Sequence, residues 1–265
     1  MTTSTRLSCS IFLVVAAACA ERVEIATSPL ASEAEQTAAA ELAGHLARLY
    51  PSDTFAVRTG APNNGKVILV GTPASFPEIL RWVPKASLAV PESFVVANAM
   101  RGGAPVAVIA GADARGALYG VYALLEKLGW GFYLSYEAAP AARKQPVEFA
   151  EWNLADAPVF ADRVVFDWHN FLSSVSTWEF EDWQRWIRGA ACMRYNTVMV
   201  HAYGNNPMFE FRHNGQQKFV GYLTTGAGGS STLGASNRVM GHQIRNATTI
   251  TVVICMMRNA LPLDS

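Results

Sequence analysis

A chain of 265 residues is longer than one compact core needs and points to one large domain or two smaller ones. Its 21 Lys and Arg balance its 21 Asp and Glu with no basic stripe or run, which excludes nucleic acid and anionic membrane surfaces as the main theme. Hydrophobic residues make up 51%, enough for a sizeable core.

At the N-terminus Arg6 precedes an apolar run from Leu7 to Ala18, and Ala18-Cys19-Ala20 offers small residues at a cleavage site. Residues 1–20 therefore read as a secretory signal peptide, and the protein as secreted or periplasmic. The run falls short of the roughly 20 apolar residues a bilayer requires, so no stable membrane span is expected. Cys19 is also a candidate for lipidation, although Ala16 stands where a bulky aliphatic would be expected. Cys9 and Cys19 leave with that peptide or sit beside its cut, which leaves Cys192 and Cys255 and no disulfide scaffold. Neither CxxC, HExxH, a close His/Cys cluster, GxGxxG nor a Walker loop occurs, so neither metal nor cofactor is expected.

From Glu21 to about Ala150 strand and helix periods alternate. Val23–Ala26 is a short strand, and Ser32 with Glu35 forms a capping box that opens a helix through Leu42, Leu46 and Leu49. Pro51 stops it. Phe55–Arg58 and Lys66–Val70 are strands separated by the turn-forming Pro62-Asn63-Asn64-Gly65, and Ser93–Ala97 and Val106–Ala110 form a second pair around Gly102-Gly103. The strongest periodic signal runs from Gly111 to Gly129. Leu118, Val121, Tyr122, Leu125 and Leu128 share one helical face, Gly116 and Gly120 share a stripe that permits close packing, and Gly129 suits the C-cap. By periodicity alone this helix does no more than cover a sheet.

The same segment resembles the helix that closes the small α/β domain preceding the catalytic barrel in family 20 β-hexosaminidases, family 67 α-glucuronidases and α-N-acetylglucosaminidases. The matching pieces are Arg115-Gly116, Tyr119-Gly120 and Leu125 to Gly129. In order of elements the resemblance spans Val23 to about Tyr222. It implies a glycoside hydrolase, and a small α+β sandwich domain with a mixed sheet over residues 21–150.

After the polar connector that follows Pro140, Trp152–Pro158 reads as the lead-in to a second unit over residues 157–225. Arg163–Phe166 is its first strand, Trp178–Met193 has helical spacing, and Asn196–Val200 is a wholly apolar second strand. Strand, helix, strand without an intervening hairpin is the opening of a TIM-type barrel, here incomplete. In such barrels the loops leaving the C-terminal strand ends build the active site. Asp167, Trp168, His169 and Asn170 leave the first strand; His201, Tyr203 and Asn205 leave the second. These seven are the candidate sugar-binding residues, because carboxylates, amides and imidazoles pair with hydroxyls while aromatic faces cover the apolar side of a sugar ring. Each also has a plainer reading: Trp168 as rim packing, Asp167 as a turn cap, His201 as a core histidine.

Arg163 to Asp167 and Arg194 to His201 resemble the first two barrel strands of the hexosaminidases. His169 and Asn170 stand where those enzymes place a sugar-binding Arg, whereas Phe166 to Asn170 is similar to an Asn- and Trp-containing loop of the α-glucuronidases. The resemblance thus implies a hexosaminide or a glucuronoside. The catalytic carboxylates of these families come from later strands, so no catalytic residue is assigned and hydrolysis as written is expected to be inefficient. From Gly226 the text loses period, the sequon at Asn246 carries no weight, and residues 226–265 read as an irregular, frame-shifted tail with a β-prone run from Ile250 to Met257. The alternative of a different class is a non-catalytic carbohydrate-binding or cell-envelope protein.

Overall fold

The computed structural model describes residues 20–63, 65–167, 180–202, 209–220 and 250–255. A six-stranded mixed sheet dominates. Its strands are β1 (Arg22–Thr27), β2 (Thr54–Thr59), β3 (Lys66–Gly71), β4 (Phe94–Arg101), β5 (Ala104–Gly111) and β8 (Leu154–Asp156), in the order β2-β1-β3-β5-β4-β8. β2, β1, β3 and β5 run parallel; β4 is antiparallel to both its neighbours.

Helices α1 (Glu33–Leu49) and α2 (Ala114–Lys127) cover one face, packing Leu42, Leu46, Leu118, Val121, Tyr122 and Leu125 against Ile25, Ile68 and Ile109. Two short 3₁₀ segments, Pro77–Arg81 and Lys85–Leu88, cover the other face with Ile79, Val83 and Leu88. With both faces buried, β3 and β5 are almost continuously apolar, as parallel strands require.

The capping box of α1 forms as its sequence predicts. Glu35 N–H donates to Ser32 Oγ at 3.4 Å, and Ser32 N–H donates to Glu35 Oε2 at 2.7 Å. A cap contributes about 1 kcal/mol, whereas each fully buried leucine contributes about 1.5–3 kcal/mol. Leu42, Leu46 and Leu49 therefore hold the helix, and the cap fixes where it starts.

α2 ends in a Schellman motif. Gly129, at φ 109°, donates its N–H to Glu126 O at 2.9 Å, and Trp130 N–H donates to Leu125 O at 3.0 Å. At the other end of α2 the two glycines of the stripe are needed for close approach. A Cβ on Gly116 would lie 2.4 Å from Ser93 O, and one on Gly120 would lie 3.0 Å from Ile109 Cγ2 and 3.2 Å from Phe94 Cβ.

Trp152 is buried, and β8 is the edge strand beside β4, so Trp152–Asp156, read from sequence as a lead-in, extends the first sheet. A second sheet follows. β9 (Val164–Asp167), α3 (Phe180–Cys192) and β10 (Thr197–Ala202) make a parallel strand–helix–strand unit, as the spacing predicts, with Val165 and Val198 packed on Trp186 and Ala190. The strand on the far side of β10 is β13 (Ile250–Cys255), which is antiparallel and lies in the expected β-prone run. A third parallel strand of the barrel type is not found among the described residues. Two small antiparallel pairs complete the described residues: β6 (Gly131–Phe132) with β7 (Glu137–Ala138), and β11 (Phe209–His213) with β12 (Gln216–Val220). Among the described residues no helix is long and apolar enough to cross a membrane; the Leu7–Ala18 run lies outside them.

The glycine geometry sets two substitutions against each other. Gly116→Ala is expected to lose about 1–3 kcal/mol to overpacking despite alanine's better helix propensity. Gly44→Ala, on the open face of α1 with nothing within 4 Å of the new Cβ, is expected to gain up to about 1 kcal/mol. Urea unfolding midpoints of the two variants check the opposite signs.

Candidate functional site

In the parallel β9–β10 pair the register sets Val164 opposite Thr197 and Asp167 opposite Val200. The C-terminal ends of both strands share one edge, about 4.8 Å apart, with Asp167 closing β9 and His201 one position beyond its partner on β10. The segments that begin at Trp168 and Tyr203 thus leave from neighbouring strand ends. Trp168, His169, Asn170, Tyr203 and Asn205 themselves lie outside the described residues, so the structure brings together the strand positions of Asp167 and His201 only.

What fixes this edge lies at the opposite ends of the same strands. Arg163 precedes β9 and Asn196 precedes β10. Arg163 N–H donates to Asn196 Oδ1 at 2.9 Å, and Asn196 N–H returns a bond to Arg163 O at 3.0 Å. Both side chains then converge on Glu92, which is 4% exposed and held at φ 63°. Asn196 Nδ2 donates to both Glu92 carboxylate oxygens at 3.2 Å, Arg163 ion-pairs with Oε2, and Arg115 Nη1 stands 3.0 Å from Oε1.

The left-handed backbone of Glu92 is itself held: its N–H donates to Asp113 Oδ2 at 3.0 Å, while Asp113 Oδ1 caps α2 through Gly116 N–H at 2.8 Å. Tyr119, one turn along α2, donates its hydroxyl to Tyr195 O at 3.3 Å. Burial, reinforced by the Glu92 charge, pushes that phenol up to about 12, so it stays a neutral donor.

A second polar joint ties α3 to α1. The Arg188 guanidinium grips Glu41 through two bonds, Nε to Oε1 at 3.0 Å and Nη2 to Oε2 at 2.7 Å, and also bonds Glu137. Burial alone would lower the Arg188 pKa, but the Glu41 and Glu137 carboxylates outweigh it and hold the group above its ordinary range. His45 places Nδ1 2.7 Å from Glu41 O and Nε2 3.3 Å from Glu137 Oε2, with its ring edge-on to Trp130. The hydrogen bond from His45, then the Arg188 charge, overcome desolvation and bring Glu137 down to about 2. Beside this joint Cys192 is buried and its thiol is pushed up to about 12, so it serves as packing and not as a nucleophile.

Sequence reading missed Glu92 and Arg188. A local signal was the Arg115-Gly116 pair, taken only as a piece of the family resemblance, whose arginine proves to be a ligand of Glu92. Neither joint is a metal centre: no group of three or more His, Cys, Asp or Glu among the described residues is arranged to hold an ion.

Residues 16–124, from before β1 into α2, match the family model described as glycosyl hydrolase family 67 N-terminus. The α/β portion of the chain is a glycoside hydrolase-like domain. Among solved structures, a family 115 4-O-methyl-α-glucuronidase with specificity for decorated arabinogalactans superposes with a TM-score of 0.52 at 20% identity. The match covers 68% of this chain and 25% of that one. A family 138 enzyme targeting pectin rhamnogalacturonan II aligns with a TM-score of 0.40 at 14% identity, over 66% of this chain and 18% of that one. The chain thus spans about a quarter or less of these two solved proteins, and the likeness to the family 115 enzyme is one of fold. Comparison with curated proteins gives no match.

Two outcomes follow from the joints. Glu92→Ala leaves two arginines and an amide without their shared acceptor at a largely buried site, which is expected to cost about 3–5 kcal/mol. Amide hydrogen exchange should then show protection lost at Val165 and Val198 before it is lost at Ile25 and Ile68. Glu137 titrates near 2 when folded, against an ordinary 4.5, so its stabilisation is complete above about pH 4.5 and disappears as pH falls through 2. Allowing for solvent screening, Glu137→Gln should remove on the order of 1–2 kcal/mol at pH 6 and flatten the stability profile between pH 4.5 and 2. Urea melts across that range provide the measurement.

Proposed function

We propose that this chain is the accessory domain and sugar-contacting edge of a secreted or periplasmic glycoside hydrolase-like protein that takes glucuronosides or hexosaminides. The observation that carries this reading is the match of residues 16–124 to the family 67 N-terminal model, followed later in the chain by a parallel strand pair, β9 and β10, whose C-terminal ends share one edge.

At that edge Asp167, Asn170 and Asn205 would bond sugar hydroxyls, Trp168 and Tyr203 would stack on ring faces, and His169 and His201 would serve as further donors or acceptors. The match to the family 67 N-terminal model and the 4-O-methyl-α-glucuronidase activity of the fold neighbour both favour a glucuronoside over an N-acetylhexosaminide. The proposal keeps residues 21–150 as the α/β unit and 157–225 as the start of a βα barrel, with export directed by residues 1–20. No residue of this chain is assigned as a catalytic acid or as its partner carboxylate, so binding is expected to exceed turnover.

Titration calorimetry with 4-O-methylglucuronoyl xylo-oligosaccharides, run beside product analysis, tests the reading. Binding without release of product is expected, weakened roughly tenfold in Asp167→Ala and His201→Ala, the loss of one or two hydrogen bonds to a sugar. Rapid hydrolysis would refute the assignment of an incomplete site. Absence of binding to these sugars and to an aryl β-N-acetylglucosaminide would refute the carbohydrate reading itself.

A further inference from the structure

We infer that Tyr133 and Tyr136, stacked on the β6–β7 hairpin, form an accessory carbohydrate contact that takes one pyranose ring of a polysaccharide on the outer face of Tyr136. The inference rests on the carbohydrate reading above but concerns a different surface.

The two rings lie 4.5 Å apart and within 18° of parallel, yet they remain 46% and 60% exposed. The hairpin beneath them is built to hold them there. Tyr133 N–H donates to Tyr136 O at 3.0 Å, which closes the turn. Gly131 makes room for the Tyr133 ring, since a Cβ there would lie 3.1 Å from Tyr133 Cε2. Phe132 is buried, Leu134 packs in the group around Trp186, and Glu137 is fastened by His45 and Arg188. On α3, Gly189 lies so close to the turn that a Cβ would stand 2.5 Å from Leu134 O. The inward residues are thus immobilised, and the outward tyrosines are carried on a rigid support.

Exposed aromatic surface of this kind is costly in water, and its ordering cost has already been met by the hairpin, which lowers the entropy lost on binding. Size selects the occupant. A stable protein interface needs about 800 Å² from each partner, whereas two phenol rings offer the footprint of a single sugar. The apolar face of a pyranose sets C–H groups against an aromatic face, and the phenol hydroxyls can bond the hydroxyls at its rim. The position also separates this contact from the proposed mouth. Gly189 is in the last turn of α3, the helix that returns the chain from the C-terminal end of β9 to the start of β10, so the hairpin lies toward the edge opposite Asp167 and His201.

Affinity electrophoresis of the full chain in gels containing soluble 4-O-methylglucuronoxylan or arabinogalactan tests the contact. Tyr136→Ala and Tyr133→Ala should reduce retardation roughly three- to tenfold, the worth of one aromatic stacking contact, while Tyr136→Phe keeps it. Thermal melts equal to the unsubstituted chain would show that folding is intact. Retardation unchanged in both alanine variants would overturn the inference, and a simultaneous loss in Asp167→Ala would leave the proposed mouth standing. Failure of the unsubstituted chain to be retarded by either polymer would also overturn it, whatever the oligosaccharide titration shows.

Discussion

The arrangement of the second sheet depends on one buried carboxylate. Glu92 lies in the turn before β4, far in sequence from β9 and β10, yet the residues just before both strands bond it. A buried carboxylate is stable only if its oxygens are satisfied, and three donors do so here: two guanidinium groups and an amide. The geometry is demanding as well as favourable. Arg163 and Asn196 can both reach Glu92 only if they stand side by side, and that requirement imposes the observed β9–β10 register, with Asp167 opposite Val200 at the far end. A one-residue slip of either strand would turn its valine, Val165 or Val198, away from α3 and part the two ligands.

The ionic joints do not supply most of the adhesion between the two sheets. Cys192 belongs to the same buried core as α1 and α2, and Met193 packs on it, so the last turn of α3 is anchored by apolar contact. Buried ion pairs repay little beyond their desolvation, and their value is that wrong arrangements leave a charge unpaired. Glu92 and Glu41 therefore act as specifiers laid over a hydrophobic attachment. The left-handed φ of Glu92 shows the cost that this accuracy tolerates, since a non-glycine residue keeps such a conformation only where its surroundings over-determine it.

Much of the first sheet is legible in sequence because its signals are local. The Ser32–Glu35 box, the helical face of α2 and the apolar β3 and β5 each depend on residues a few positions apart, and their boundaries fall within a few residues of expectation. The Asn214-Gly215 turn of β11–β12, with φ 50° and 75°, was equally local and was passed over. β8 was not legible, because three residues become a strand only by pairing with β4. The role of Glu92 was beyond local reading altogether: the partners that tie it to β9 and β10 lie 71 and 104 positions away. For the candidate site, sequence put Asp167 and His201 in the loops leaving the two strands, whereas Asp167 is the last residue of β9 and His201 the last but one of β10; register, which is set elsewhere, was out of reach.

That division explains why the motif carrying the family resemblance is not itself a site. Asp113 caps α2 and holds the Glu92 backbone, Arg115 binds the Glu92 carboxylate, and Gly116 lets the helix approach Ser93. Every polar or glycine position at the start of α2 thus serves to deliver Glu92 to the strands that follow. The most recognisable residues of the first unit thus act by positioning the strands that follow it. The α1, α2 and sheet core is buried by its own residues, while the polar contacts at the start of α2 reach outward to the β9–β10 pair, so that the strand ends at Asp167 and His201 and the fold that presents them are coupled through a single carboxylate.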